Sequence, residues 1–304
     1  MEELLFEATC MMNQAGDNQK TILVTGGAGF IGSHLCERLQ QEGYHVISLD
    51  NYFTGSRDNH VHGVEYREGH TKDINALIPE SPDIIFHLGE YARVEKSFED
   101  VARVWDLNQL GTLAVLEFAR NRGSKLVYAG SSTKFSDGGL GRDQSPYAWS
   151  KASMTELVKN YGNWFGLKYA ITYFYNVYGP RERSGAFGTV VAIFKERYTK
   201  GLPMAVVAPG TQERIFTHVL DIVDGLIAVG KQGEGDGFGI GGEDTLSILE
   251  LAKLFGDEIT MLPERAGNRK TATIDSSKTR SLGWAPTRRL EDDIVTFLEK
   301  NKTK

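Results

Sequence analysis

The chain has 304 residues, of which 40% are hydrophobic and 24% charged, and a formal net charge of −6. That is an ordinary globular composition, with no basic field to attract nucleic acid or an anionic membrane and no apolar run near the 18 residues a span requires. Its two cysteines, Cys10 and Cys36, offer neither a disulfide framework nor a metal-ligand spacing, and free thiols fit a reducing cytoplasm. Residues 1–19 lack the basic start and long apolar centre of a signal peptide. They read as an extension outside the fold, either a frayed tail or a segment pairing with another subunit.

Strand-like and helix-like segments then alternate. Residues 21–25 (TILVT) form a short apolar run rich in β-branched residues, and Ile31, Leu35 and Leu39 follow at helical spacing. Residues 45–49 (HVISL), 84–88 (IIFHL), 126–129 (LVYA) and 170–175 (AITYFY) read as further strands. Residues 108–122 and 147–165 read as helices with an apolar face. Continuous apolar strands separated by helices predict an α/β fold, a parallel sheet covered on both faces. Right-handed crossovers make it a doubly wound, Rossmann sheet. After Pro180 the segments shorten and glycines become dense, as in residues 233–242 (GEGDGFGIGG). A smaller lobe is expected there, with part of its chain returning to the sheet.

Directly after the first strand stand Gly26, Gly29 and Gly32, a GxxGxxG spacing that leads into an amphipathic helix. Glycines there allow a tight turn, a close backbone approach to a pyrophosphate, and packing of the helix on the sheet. The helix N-terminus presents free N–H groups and a partial positive charge to phosphates. The second strand ends in Asp50, whose carboxylate accepts from both ribose hydroxyls of an adenosine and repels a 2′-phosphate. NAD is therefore expected rather than NADP, and no metal. The division expected is an extension over 1–19, an NAD-binding Rossmann domain over 20–180, and a mainly substrate-binding lobe over 181–304.

Tyr147 and Lys151, four residues apart, share one face of a helix. A phenol with a pKa of about 10 is a poor base, but a nearby ammonium stabilises its phenolate. Such a pair exchanges a proton with a substrate hydroxyl while hydride leaves the same carbon. The alternative is an exposed helix carrying a buried tyrosine. Ser131, Ser132 and Thr133 follow the strand LVYA. Hydroxyls at the carboxyl end of a parallel strand face the ligand crevice, or else cap a local turn.

GGAGFIGSHL, DN, HL, NQLGT, SS, SPYAWSK and YNVYGPR occur here in the order of the NAD-dependent sugar epimerase/dehydratase family. The chain resembles these extended short-chain dehydrogenase/reductases from about residue 20 onward, and most of all their UDP-glucose 4-epimerase-type members. The resemblance implies Ser131, Tyr147 and Lys151 as catalytic residues. It implies NAD contacts from Phe30, Ile31, Asp50, Asn51, Leu88, Asn108 and Lys151, and sugar-nucleotide diphosphate contacts from Asn176, Arg214 and Arg265. A surface salt bridge is the alternative for each lone arginine. His70 and Thr71 stand where the family's adenine clamp has an acid and an aliphatic. The usual HLAA reads His87-Leu88-Gly89-Glu90, which adds a carboxylate on the nicotinamide side or at a solvated rim. Tyr173 replaces a frequent arginine.

Dehydratases of that family carry an acid and a base where this chain has Ser132 and Thr133, neither a general base near neutral pH. The chain therefore looks more like an enzyme that inverts C4 of a UDP-hexose or UDP-N-acetylhexosamine through a 4-keto sugar. Ala272, near a position where an aromatic often closes the sugar pocket, would admit an N-acetyl group or simply pack in a strand. One alternative is a dehydratase or decarboxylase with displaced acid and base, Glu90 among them. A second is a non-catalytic NAD-binding regulator. Family members commonly dimerise through two helices, here about 106–122 and 147–165, so a homodimer is expected, with no nucleic-acid or membrane partner.

Overall fold

The computed structural model describes residues 19–264 and 275–301. Its strands, in chain order, are β1 (Thr21–Thr25), β2 (His45–Asp50), β3 (Glu65–Glu68), β4 (Ile84–His87), β5 (Lys125–Ala129) and β6 (Tyr169–Phe174). There follow β7 (Val177–Tyr178), β8 (Met204–Val207), β9 (Glu213–His218), β10 (Gly235–Ile240), β11 (Asp244–Ser247) and β12 (Ile259–Leu262). Helices α1 (Phe30–Gln41), α2 (Gly111–Arg122), α3 (Pro146–Phe165), α4 (Val190–Thr199), α5 (Val219–Gln232) and α6 (Leu290–Asn301) cover them.

The main sheet has seven strands in the order β10-β6-β5-β4-β1-β2-β3, each neighbouring pair parallel. Successive side chains of a strand point to opposite faces, and both faces here are covered, which is why the strands are apolar throughout. Ile22 and Val24 pack with Leu35 and Leu39 of α1 and with Ile222 and Leu226 of α5. Leu23 packs on the other side with Leu116 and Phe118 of α2 and Val158 of α3. The order reverses between β1 and β4, and in such a sheet the crevice for a ligand opens beyond the carboxyl ends of those two strands.

Two strands carry no apolar signal in the sequence. β3 (EYRE) lies at the sheet edge, where charge blunts unwanted pairing, and Arg67 there pairs with Glu65 and Glu80. β10 (GDGFGI) is rich in glycine yet pairs with β6, with Phe238 and Ile240 buried in the core below. Ahead of α2 the helical run extends back to Val101, through a π-helical turn at Trp105–Leu110. The remaining strands form two small sheets, β11-β9-β7 and β12-β8, around a separate core that includes Tyr178, Phe194, Phe216 and Leu290. No helix among the described residues is long and apolar enough to cross a membrane.

Candidate active site

A cavity of about 1350 Å³ lies against the carboxyl ends of β1, β2, β4 and β5 and extends to β8 and β9. Its first wall is the glycine turn. Gly26 has φ +76°, and a Cβ on it would come within 2.9 Å of the Gly89 backbone. A Cβ on Gly32 would sit 2.1 Å from the Gly26 carbonyl oxygen. The turn is thus closed backbone to backbone, as a phosphate cradle requires. Gly26, Gly29, Phe30, Ile31 and Gly32 all line the cavity, with the start of α1 facing it. Leu88 and Gly89 line it from the end of β4, and Gly89 N–H is fixed by Thr25 Oγ1 at 3.0 Å.

Asp50 and Asn51 line the cavity at the end of β2. One Asp50 oxygen accepts from Ala28 N–H at 3.0 Å and the other from Tyr52 N–H at 2.8 Å. Burial raises its pKa, and these two donors work against that rise. The carboxylate is thereby pre-oriented with lone pairs to spare, which suits the two hydroxyls of a ribose. The cradle and this carboxylate fit a dinucleotide.

Three residues expected at the cofactor stand elsewhere. Asn108 is fully buried and off the cavity wall, because its amide is spent on the backbone of Tyr91 and on Ser150. It braces the segment after β4 against α3. His70 caps the Thr71–Asp73 turn through Lys72 N–H, and its ring stands 3.0 Å from the Asp106 carboxylate. Thr71 is buried under Gly111. Arg265 and Ala272 lie outside the described residues.

Another wall of the cavity comes from the start of α3. Ser145 caps the helix by accepting from Ala148 N–H, and Pro146 supplies a preset first turn. Tyr147 therefore enters the cavity wall at the helix start, with Lys151 one turn on. Lys151 Nζ donates to Tyr128 Oη at 2.8 Å, to the Ala129 carbonyl at 2.6 Å, and to Glu90. Burial lowers the Lys151 pKa, and Glu90 opposes that fall. Ser131, Ser132 and Thr133 line the cavity beyond β5. Ser131 Oγ also accepts from Thr133 N–H at 3.2 Å, so it is a turn cap and a wall residue at once.

Across the cavity, Asn176 and Arg214 meet through one strand residue. Asn176 Nδ2 donates to the Ile215 carbonyl at 3.0 Å, and Arg214 precedes that residue on β9. Both line the cavity, as does Gln212, whose buried Oε1 has no hydrogen-bond partner. An orphaned buried acceptor on a wall suits a ligand N–H or O–H. Arg93 crosses from the loop after β4 to the Phe187 carbonyl at 2.7 Å, and Arg183 reaches the Thr54 carbonyl at 2.6 Å. Together they hold the 183–188 segment against the cavity. Sequence reasoning missed both Gln212 and Arg93, for neither sits in a periodic or spaced pattern. Tyr173 is buried in β6, and its hydroxyl donates to Asp236 at 2.7 Å, tying the sheet to β10.

Comparisons with known proteins bear on the family and the fold. The model of the NAD dependent epimerase/dehydratase family matches residues 22–241. A UDP-glucose 4-epimerase of Mycolicibacterium smegmatis is 31% identical, over 92% of this chain and 99% of that protein. UDP-glucuronic acid decarboxylase 1 of Xenopus tropicalis is 29% identical, over 91% of this chain and 71% of its own length. The crystal structure of UDP-glucose 4-epimerase with UDP-glucose from Thermotoga maritima superposes with a TM-score of 0.86 at 29% identity, covering 93% of this chain and 99% of that one.

Proposed function

The chain belongs to the NAD-dependent epimerase/dehydratase family and is an NAD-dependent enzyme, and on that premise we propose that it inverts C4 of a nucleotide-diphosphate sugar, a UDP-hexose or UDP-N-acetylhexosamine. The observation that carries this reading is the state of Glu90. It is the carboxylate in hydrogen-bond contact with Lys151, and both its oxygens are engaged by protein donors. It is therefore badly placed to remove a proton from a sugar carbon. Ser132 and Thr133, where the dehydratases carry their acid and base, are hydroxyls. Dehydration needs a group that takes the C5 proton, and inversion at C4 does not.

In this scheme Tyr147 takes the O4 proton, assisted by the Lys151 ammonium, while Ser131 hydrogen-bonds the same oxygen. NAD, when bound along the glycine turn and Asp50, supplies a reversible hydride acceptor. Arg214 and Asn176 hold the diphosphate, since guanidinium donors match phosphate oxygens in pairs. The 4-keto sugar turns between them and Tyr147, and Tyr147 returns the proton once the opposite face is presented. Tyr147 and Lys151 speak against a merely regulatory NAD-binding role, which needs no activated phenol.

Incubation with UDP-, GDP-, CDP- and dTDP-sugars followed by proton NMR tests this. Interconversion of gluco and galacto forms with the C6 oxygen retained is the expected result for UDP-glucose or UDP-N-acetylglucosamine. A 4-keto-6-deoxy product, or loss of carbon dioxide from UDP-glucuronate, would replace this reading with dehydration or decarboxylation.

A further inference from the structure

Glu90 is a buried carboxylate to which the acid–base scheme assigns no task. Its side chain is 5% exposed, and that of Lys151 is 4% exposed. Its oxygens receive donors alone. One takes the Lys151 ammonium. The other takes the Tyr128 hydroxyl at 3.1 Å and the Thr112 hydroxyl at 3.0 Å. The directions further back are then forced. Thr112 gives its proton to the carboxylate, so it accepts from His87 Nε2–H at 3.0 Å. His87 Nδ1 consequently accepts from the Thr25 hydroxyl at 2.7 Å, and Thr25 Oγ1 accepts from Gly89 N–H at 3.0 Å. A one-way chain of donors that starts at Gly89 N–H, just after β4, ends on Glu90. Every protein group in hydrogen-bond contact with the two Glu90 oxygens is thus a donor.

Lys151 is equally committed, with its three N–H bonds directed at Glu90, Tyr128 and the Ala129 carbonyl. The other titratable groups packed here carry no charge near neutral pH. His87 is pushed by burial down to about 4, and Tyr128 and Tyr173 are pushed well up. Arg93 stands further along the wall and is coupled to Tyr147 rather than to this pair.

We propose that Glu90 is a positioning residue for the acid–base step, one that keeps the buried Lys151 ammonium charged and aimed beside Tyr147. The proposal rests on the reading of Tyr147 and Lys151 as the proton-handling pair. Burial alone disfavours a lone ammonium, and an opposite charge in contact offsets that by about 1–3 pH units. Without the carboxylate, Lys151 loses its proton at a lower pH than in the wild type, and Tyr147 loses the cation that stabilises its phenolate.

The test uses the NAD-bound protein with 13C-labelled lysine. The Lys151 Cε resonance, assigned by its loss in Lys151→Arg, is titrated in wild type, Glu90→Gln and Glu90→Ala. Alanine removes the carboxylate without leaving an amide donor against Lys151, so the second variant guards against a folding failure of the first. The expected result is a Lys151 midpoint lower by about 1–3 units in both variants. In turnover, the alkaline limb of kcat/KM moves down by the same interval while the acid side recovers towards wild type. A structural defect would instead lower the rate equally at every pH. A Lys151 midpoint that stays within about half a unit of wild type in both variants overturns the proposal. The lysine signal does not depend on the sugar, so absence of turnover on every sugar would count against the proposed reaction and leave this result standing.

Discussion

Tyr147 is the residue we propose to handle the O4 proton, and its place on the cavity wall follows from local sequence. Ser145 and Pro146 start α3 so that the phenol enters the cavity wall in the first turn. Tyr147→Phe is expected to keep the fold and bound NAD and to lose at least about a hundredfold in turnover, the low end for general acid–base catalysis. Steady-state kinetics on a confirmed substrate checks this, and undiminished activity would remove Tyr147 from the mechanism. His87 supports the same site from beneath and leaves its own signature. Its folded pKa of about 4 lies below the 6.5 of the unfolded chain. As pH falls through 6.5 the unfolded chain takes a proton that the folded chain refuses until about 4, so stability drops across that window. Between pH 7 and pH 5 this single group accounts for about 2 kcal/mol. Urea unfolding at the two pH values should show a drop smaller by about that amount in His87→Gln. An equal drop in the two proteins would mean that His87 is not held neutral.

At the scale of elements, the glycine turn and the strands beside it were legible because each function there demands a residue type. Only glycine fits Gly26 at φ +76° and Gly32 against the Gly26 carbonyl, so the spacing is visible in the sequence. The placement of Tyr147 and Lys151 one turn apart on a helix was legible from their spacing, and both line the cavity. What stayed hidden depends on packing that no short pattern encodes. β3 is polar because it is an edge, and β10 is glycine-rich because Phe238 and Ile240 alone supply its buried contacts. Asn108 was expected to touch NAD, but the π-helical turn at Trp105–Leu110 carries it inward to brace Tyr91 and Ser150. The surroundings of Glu90 could not be read from the sequence, because the relay from Thr25 through His87 and Thr112 to its carboxylate joins residues far apart in the chain. The turn itself gives a sharp test. Protein purified without added cofactor should release NAD, not NADP, on denaturation. A Cβ at residue 32 should cost about 1–3 kcal/mol by overpacking, so Gly32→Ala should lose about fivefold to a hundredfold in NAD affinity. Liquid chromatography of the released nucleotide reads both, and NAD retained in full by Gly32→Ala would contradict the cradle.

At the scale of the whole molecule, we propose that residues 20–180 form the NAD-binding unit and residues 181–304 mainly the substrate-binding one. We also propose that two copies associate through the helical run over residues 106–122, which includes α2, and through the helix over 147–165 in α3. Trp105 and Trp149 stack there at 5.2 Å, and both are exposed, as are Leu110, Leu113 and Trp164. An apolar patch of that kind on an isolated chain calls for a partner. Light scattering should give twice the mass of one chain. Trp149→Glu should raise the dissociation constant by roughly thirtyfold or more, the scale of an aromatic hot spot. A wild-type monomer would contradict the association. The central claim is that hydride leaves C4 and returns to C4, with no proton removed from any carbon. The most direct measurement is to run the reaction in D2O with the accepted UDP-sugar and to read the product by NMR. The account predicts inverted C4 with no solvent deuterium on any sugar carbon. Deuterium at C5 or C6 would mean that a carbon proton had been removed, and would contradict it.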